Sequence, residues 1–242
     1  MPNHVKNIIC IHGDSEQIKR ILQEIQNDEI GIGSLDFNKL ITMPQSLNIE
    51  SGGQTQEGLQ LYRSFLDENN IPEEIPNEEL QALINQYMKQ TEVDPEVFSL
   101  GKQAYKNIVQ YGYPTWYEWS NANWGTKWNA YEFMPYGGNS ISFLTAWNGV
   151  PQILTVLSEK YPDVSFDYSW ADENIGYNVG TATYLKGNVV EENIPTEGSK
   201  EAYELSAKIM GVDLAIDYDL YLSEDGTTYM SRSDEEEDSL EV

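Results

Sequence analysis

Residues 127–147, KWNAYEFMPYGGNSISFLTAW, decide the fold. The runs KWNAYEFM and SISFLTAW have strand composition, and Tyr136, Gly137, Gly138 and Asn139 between them have the chemistry of a hairpin loop, so the stretch predicts two antiparallel strands. Just before it lie Trp116, Trp119, Trp124 and Trp128, beside Tyr117. The three-residue spacing of Trp116 and Trp119 predicts a helical start, and Asn121, Asn123 and Gly125 break it. Just after it, Gly149 and Pro151 introduce a helix that buries Ile153, Leu154, Val156 and Leu157, and VSFDYSW beyond Pro162 is a further strand.

The N-terminus supplies the remaining parts of that unit. Val5 to His12, VKNIICIH, reads as a strand, and Gly13, Asp14 and Ser15 turn it into an amphipathic helix with Ile18, Ile21, Leu22 and Ile25 on one face. Glycine and proline make residues 28–53 irregular, with Leu35 to Met43 as an edge segment packing Phe37, Leu40 and Ile41. Residues 55–112 are a helical block: one helix is marked by Leu59, Tyr62, Phe65 and Leu66 and a second by Leu80, Leu83, Ile84, Tyr87 and Met88. A third is capped by Asp94 with Pro95 in its first turn and stops near Gly112.

Without that block the order is β, α, β, β, α, β, which is the split βαβ arrangement of a ferredoxin-like sandwich. The fold expected is therefore α+β, a ferredoxin-like antiparallel sheet over residues 1–54 and 113–195 with a helical insertion at 55–112. A C-terminal helix and β-hairpin extension follows at 196–231, and a disordered acidic tail at 232–242. In the extension, Ser199 to Met210 reads as a helix closed by Gly211. Asp213 to Leu222 alternates Leu214, Ile216, Tyr218, Leu220 and Leu222 with acids, which predicts a strand that Thr227 to Met230 pairs back upon. Trp124, Trp128, Phe143 and Trp147 flank the central hairpin and are expected to be buried.

Charge narrows the function. Forty acidic against 14 basic side chains leave a net charge of −26, which repels phosphates and disfavours direct binding of nucleic acid. The acids are peripheral: residues 101–150 hold only Glu118 and Glu132 against three lysines, whereas residues 201–242 hold 13 acids against Lys208 and Arg232. Cys10 is alone, so no internal disulfide forms. With no leader-like N-terminus and no long apolar run, the expected location is the cytoplasm of a host cell, with no membrane partner.

Catalytic and metal-binding patterns are missing. HExxH, CxxC, P-loop, GxSxG and GxGxxG do not occur, and His4 and His12 on one extended strand stand about 27 Å apart at roughly 3.4 Å per residue, too far to share a metal. Asp217 and Asp219 on one face of the predicted strand have the spacing of a carboxylate pair for magnesium or acid–base work, but alternation of exposed acids explains them without chemistry. For the tryptophans the packing role is preferred to a stacking platform for a base or sugar; the aromatic surface that would remain is Trp116 and Trp119 with Lys127, whose ammonium has the chemistry for an anion or a ring face. No cofactor or metal is expected, and no enzymatic activity.

The opening MPNHVKN, the block NWGTKWNAYEF and FLTAW followed by a Pro-containing helix start resemble the YubB-like proteins of phages and plasmids. The resemblance covers about the first 13 residues and roughly residues 113–190, with Asn123 to Trp128 its most specific part. It implies a ferredoxin-like domain and a phage or plasmid accessory protein, and assigns no activity to particular residues. This chain departs from the family in having His4 where an aromatic, usually Trp, is common. Charge and resemblance together lead to a non-catalytic, counter-defence inhibitor of the anti-CRISPR type that occupies a basic nucleic-acid-binding surface of a host or defence protein, with Asp213, Asp217, Asp219, Glu224 and Asp225 as the contact acids. Two alternatives stand beside it: a binder of a small molecule or nucleotide signal using the Trp cluster, and a metal-dependent enzyme with a carboxylate site.

Overall fold

The computed structural model describes residues 3–72, 74–134 and 137–231. Tyr136, in the predicted hairpin loop, and the predicted acidic tail at 232–242 lie outside them. The chain forms two compact units, Met1–Thr42 with Asn121–Val242, and Met43–Ser120.

The first unit is built on β1 (His4–His12), α1 (Ser15–Ile25), β2 (Tyr131–Met134) and β3 (Ser140–Ala146), and completed by α6 (Pro151–Lys160), β4 (Ser165–Asp172), β5 (Val179–Leu185) and β6 (Asn188–Asn193). Its strand order is β2-β3-β1-β4-β5-β6, all neighbours antiparallel. The first four strands are the ferredoxin-like sheet, and β5 and β6 widen it beyond β4. Asp14 starts α1 through a capping box: its side chain accepts from the N–H groups of Glu16 and Gln17, and the Gln17 side chain accepts from the Asp14 N–H.

Alternation along β1 puts Val5, Asn7, Ile9 and Ile11 on one face, all fully buried together with Phe143, Phe166 and Tyr168. That face looks toward α6, because the Tyr168 hydroxyl accepts from the Val150 N–H at the start of the helix (2.7 Å) and donates to Asn7 Oδ1 (2.6 Å). Asn7 in turn donates to Thr145 Oγ1 (2.8 Å) and the Val5 carbonyl (2.9 Å), so the polar groups in this core are mutually satisfied. The hydroxyl of Tyr161, just past α6, donates to Glu24 of α1 (2.5 Å) and ties the two helices together.

The opposite face is covered as well. α7 (Lys200–Met210), capped by Ser199 and closed by left-handed Gly211, packs Ala202 and Ile209 onto Ile8, Ala171 and Val179. The C-terminal segment thus provides the second cover of the sheet and belongs to the same unit. Ile8 and Cys10 serve this face, which is why Ile8 to Ile11 form an unbroken apolar run rather than a clean alternation.

The second unit contains α2 (Gly53–Glu68), α3 (Asn77–Gln90), α4 (Pro95–Tyr111) and the start of α5 (Trp116–Asn123). Its core is Tyr62, Phe65, Leu80, Ile84 and Phe98, with Tyr87 and Tyr105 edge-on or tilted against them. Gly58 of α2 and Gly101 of α4 meet backbone to backbone, where a methyl on either would collide with the other helix. The unit is wider than 55–112 because Asn107 of α4 donates to the Ser46 carbonyl (2.9 Å) and the Pro114 carbonyl (3.0 Å), fastening segments on both sides of the helices.

Several expectations need correction. The segment Leu35 to Met43 packs Phe37, which is fully buried, but it does so through a 3-10 turn at Phe37–Lys39, with Asp36 accepting from the Asn38 N–H, and not along a sheet edge. Residues 126–130 are turn rather than strand, and Trp128 and Trp147 are only half-buried, whereas Trp124 and Phe143 are buried. The segment Asp213 to Leu222 is not a strand either. Leu214–Tyr218 is a short helix, α8, and only Leu220–Leu222 (β7) pairs with Tyr229–Ser231 (β8).

Candidate functional site

The segment from Asp213 to Asp225 starts where α7 ends. Asp213 caps α8, accepting from the Ala215 and Ile216 N–H groups (2.9 and 3.0 Å), and Asp217 reaches back to accept from the Asp213 N–H (2.8 Å). The two acids at this spacing therefore close a helical turn, and that local bonding overrides the two-residue alternation around them. Asp219 ends the turn in the left-handed conformation (φ 53°). Glu224 and Asp225 lie in the loop between β7 and β8, where Asp225 Oδ1 accepts from the Ser223 hydroxyl (2.7 Å), the Thr227 N–H (3.0 Å) and the Thr227 hydroxyl (2.8 Å). Those bonds hold the Asp225 carboxyl below the usual carboxylate range, which keeps it ionised.

All five of these acids are exposed, and they share the segment with apolar side chains that face solvent: Ile216, 83% exposed, Tyr218 and Leu222. Leu214 points inward, packing with Ile175 and Tyr203, and half-buried Leu220 packs against the same cluster. Asp217 and Asp219 do not line one face of a strand, so the carboxylate pair read from the sequence is dissolved: one closes a helical turn and the other ends it. Among the described residues no three His, Cys, Asp or Glu side chains come together in a way that could hold a metal ion.

The aromatic candidates separate. Trp116 and Trp119 fall within the helical unit, Trp119 buried and Trp116 half-buried edge-on to Tyr117, whereas Lys127 belongs to the sheet unit. Lys127 places its ammonium 4.6 Å from the Trp128 ring centroid and 5.2 Å from that of Trp147, a cation–π contact within the chain. Trp124 is a core residue, its indole donating to the Ile41 carbonyl (2.9 Å) and its ring edge-on to Phe37. His4 bonds the Tyr131 hydroxyl (2.6 Å).

Pairing of β1 with β4 creates one contact that no local motif signals. His12 Nε2 lies 2.7 Å from Asp167 Oδ2, while the Thr183 hydroxyl donates to Asp167 Oδ1 (2.8 Å). The carboxylate sits between imidazole and hydroxyl, so the hydroxyl bonds the carboxylate rather than the imidazole, and the exposed trio lacks the order of a nucleophile–base–acid relay. Only the strand register could have revealed it.

A six-stranded antiparallel sheet with the β2-β3-β1-β4 order at its heart and helices α1 and α6 connecting the strands defines a ferredoxin-like α+β domain. In agreement, residues 123–213, from the end of α5 to the cap of α8, match the family described as the ferredoxin-like domain in Api92-like protein. The chain is also similar to the crystal structure of a protein api92 from Yersinia pseudotuberculosis, with 11% identity over 82% of this chain and 99% of that one and a TM-score of 0.39. No curated protein matches the sequence. No helix among the described residues is long and apolar enough to cross a membrane.

Proposed function

We propose that the protein is a non-catalytic binding protein of a phage or other mobile element, kin to YubB-like proteins, which acts in the host cytoplasm by occupying a basic nucleic-acid-binding surface of a host or defence protein complex, as an anti-CRISPR inhibitor does. The observation that carries this reading is the Asp213–Asp225 segment, where five exposed carboxylates surround exposed Ile216, Tyr218 and Leu222. Exposed charge alone is ordinary on so acidic a chain. Charge around solvent-facing apolar side chains is the composition of a protein interface, in which the apolar groups supply affinity and the acids supply orientation and encounter rate. Local hydrogen bonds fix Asp213, Asp217 and Asp225 in place, so little side-chain entropy remains to be lost when a partner binds.

The test is paired capture and competition. The wild-type chain, immobilised in host lysate, should retain a nucleic-acid-binding complex that added double-stranded DNA or RNA releases, and the double variant Asp217→Lys, Asp219→Lys should not retain it. In cells, the wild-type chain should relieve interference against a targeted plasmid and the double variant should not. Equal retention by both proteins, or a captured complex that nucleic acid fails to release, would sink the proposal.

A further inference from the structure

A cleft lies wholly within the helical unit. It measures about 770 Å³, within the roughly 300–1,000 Å³ of small-molecule sites, between α2, α4 and the connection into α3. Leu66, Ile71, Ile75 and Leu80 give it an apolar lining, Arg63 and Lys106 stand in its wall, and Tyr62 and Tyr105 contribute their rings.

Three features mark this cleft as more than a packing gap. Tyr62 is 2% exposed and central to the unit's core, yet among the described residues its hydroxyl makes no hydrogen bond. Tyr62 lines the cleft, so its hydroxyl is a donor that a ligand there could use. Burial and the neighbouring Tyr105 phenol both push the Tyr62 hydroxyl above its ordinary value, so it stands there as a neutral donor. Second, Arg63 and Lys106 have no carboxylate within ion-pair distance among the described residues; residues 43–120 contain only two other basic side chains, Lys89 and Lys102. On a chain of net charge −26, two cations flanking one apolar cleft run against the prevailing charge. Third, Val109 lies at the cleft with 72% of its surface in water, an apolar side chain on α4 without cover.

We propose that this cleft binds a small organic anion, an aromatic or aliphatic body carrying a single carboxylate or phosphate, whose head is held by Arg63, Lys106 and the Tyr62 hydroxyl and whose body covers Leu66, Ile71 and Val109. One negative group matches two cations and one donor. The field of so acidic a chain selects against polyphosphates and extended nucleic acid. Asp67, also in the lining, penalises a second anionic group further. This site is independent of the Asp213–Asp225 segment and is tested separately.

The probes are 2-naphthoate, decanoate and adenosine 5′-monophosphate, titrated into the full chain by calorimetry, with near-UV circular dichroism of Tyr and Trp as a second readout. At least one of the three should bind with one-to-one stoichiometry. Lys106→Gln and Val109→Glu, both at exposed helix positions, should each weaken that binding about tenfold or more while the thermal midpoint stays that of the parent. Tyr62→Phe should weaken it by a smaller factor. Binding by a carboxylate alone, or by the monophosphate alone, distinguishes the two heads and supports the site either way. No binding by any probe at millimolar concentration, or binding that Lys106→Gln and Val109→Glu leave unchanged, overturns the proposal.

Discussion

The interior of the sheet and the Asp213–Asp225 segment belong to the same compact unit and treat their side chains in opposite ways. Inside the sheet, every large side chain of the β1 face toward α6 is fully buried, and the polar groups among them, Asn7, Thr145 and Tyr168, are bonded to one another. In the segment, Leu214 and half-buried Leu220 pack inward while Ile216, Tyr218 and Leu222 face water among carboxylates bonded to nearby backbone and hydroxyl groups. The first region uses apolar surface to hold the fold. The second holds its shape by caps and turns and leaves these apolar side chains in water, the exposure on which the proposed interface rests.

Mutations can break or sharpen that contrast. The largest effect is expected from Phe143→Ala, which removes a fully buried ring from the centre of β3 and should cost about 3–5 kcal/mol in denaturant melts. Tyr168→Phe keeps the ring but strands the Val150 N–H and Asn7 Oδ1 inside the core, for about 1–3 kcal/mol. Because burial pushes the Tyr168 phenol up, and burial together with the Glu24 hydrogen bond does the same for Tyr161, both phenols are neutral in the fold at pH values where they ionise in the unfolded chain. Their contribution is fully present below about pH 10, the ordinary phenol value, and is lost as pH rises from there through the raised values. A stability profile that is flat between neutral pH and strongly alkaline solution would contradict this, and Tyr168→Phe should make the alkaline fall shallower. The smallest effect is expected in the segment: Ile216→Asp should change stability by no more than about 0.5 kcal/mol, since it takes nothing out of the core.

How far the sequence reveals this molecule follows from how local each signal is. β1, α1 and α4 were legible because their periodicity, the Asp14 and Asp94 caps and the Gly112 stop all agree within a few residues. The order of elements around residues 127–147 then sufficed for the ferredoxin-like arrangement. Asp213 to Leu222 misled because its two-residue alternation competes with a four-residue signal, Asp213 ahead of an apolar residue and Asp217 one turn on, and the cap won. That signal was present and is the one to weigh first in so short a segment. Other features had no local signature. The close approach of Gly58 to Gly101, the second cover of the sheet by α7 and the union of Arg63 with Lys106 in one cleft depend on partners far apart in sequence. Of the candidate site, the acids were legible as residues, but the exposure of Ile216 and Tyr218 beside them was not, because alternation assigned those side chains to a buried face.

The central claim, that the Asp213–Asp225 segment is a binding surface rather than part of the folding core, is tested most directly by one comparison of Ile216→Asp with the parent chain. Thermal melting and the association rate with the captured complex would be measured side by side, the rate from about 50 mM to 300 mM salt, across which the screening length shortens to less than 10 Å. The account predicts superimposable melts, a parent rate that falls steeply with salt, and loss of most of the affinity in the variant through faster dissociation. A variant that melts several degrees lower while binding as the parent does, or a parent rate indifferent to salt, would contradict it.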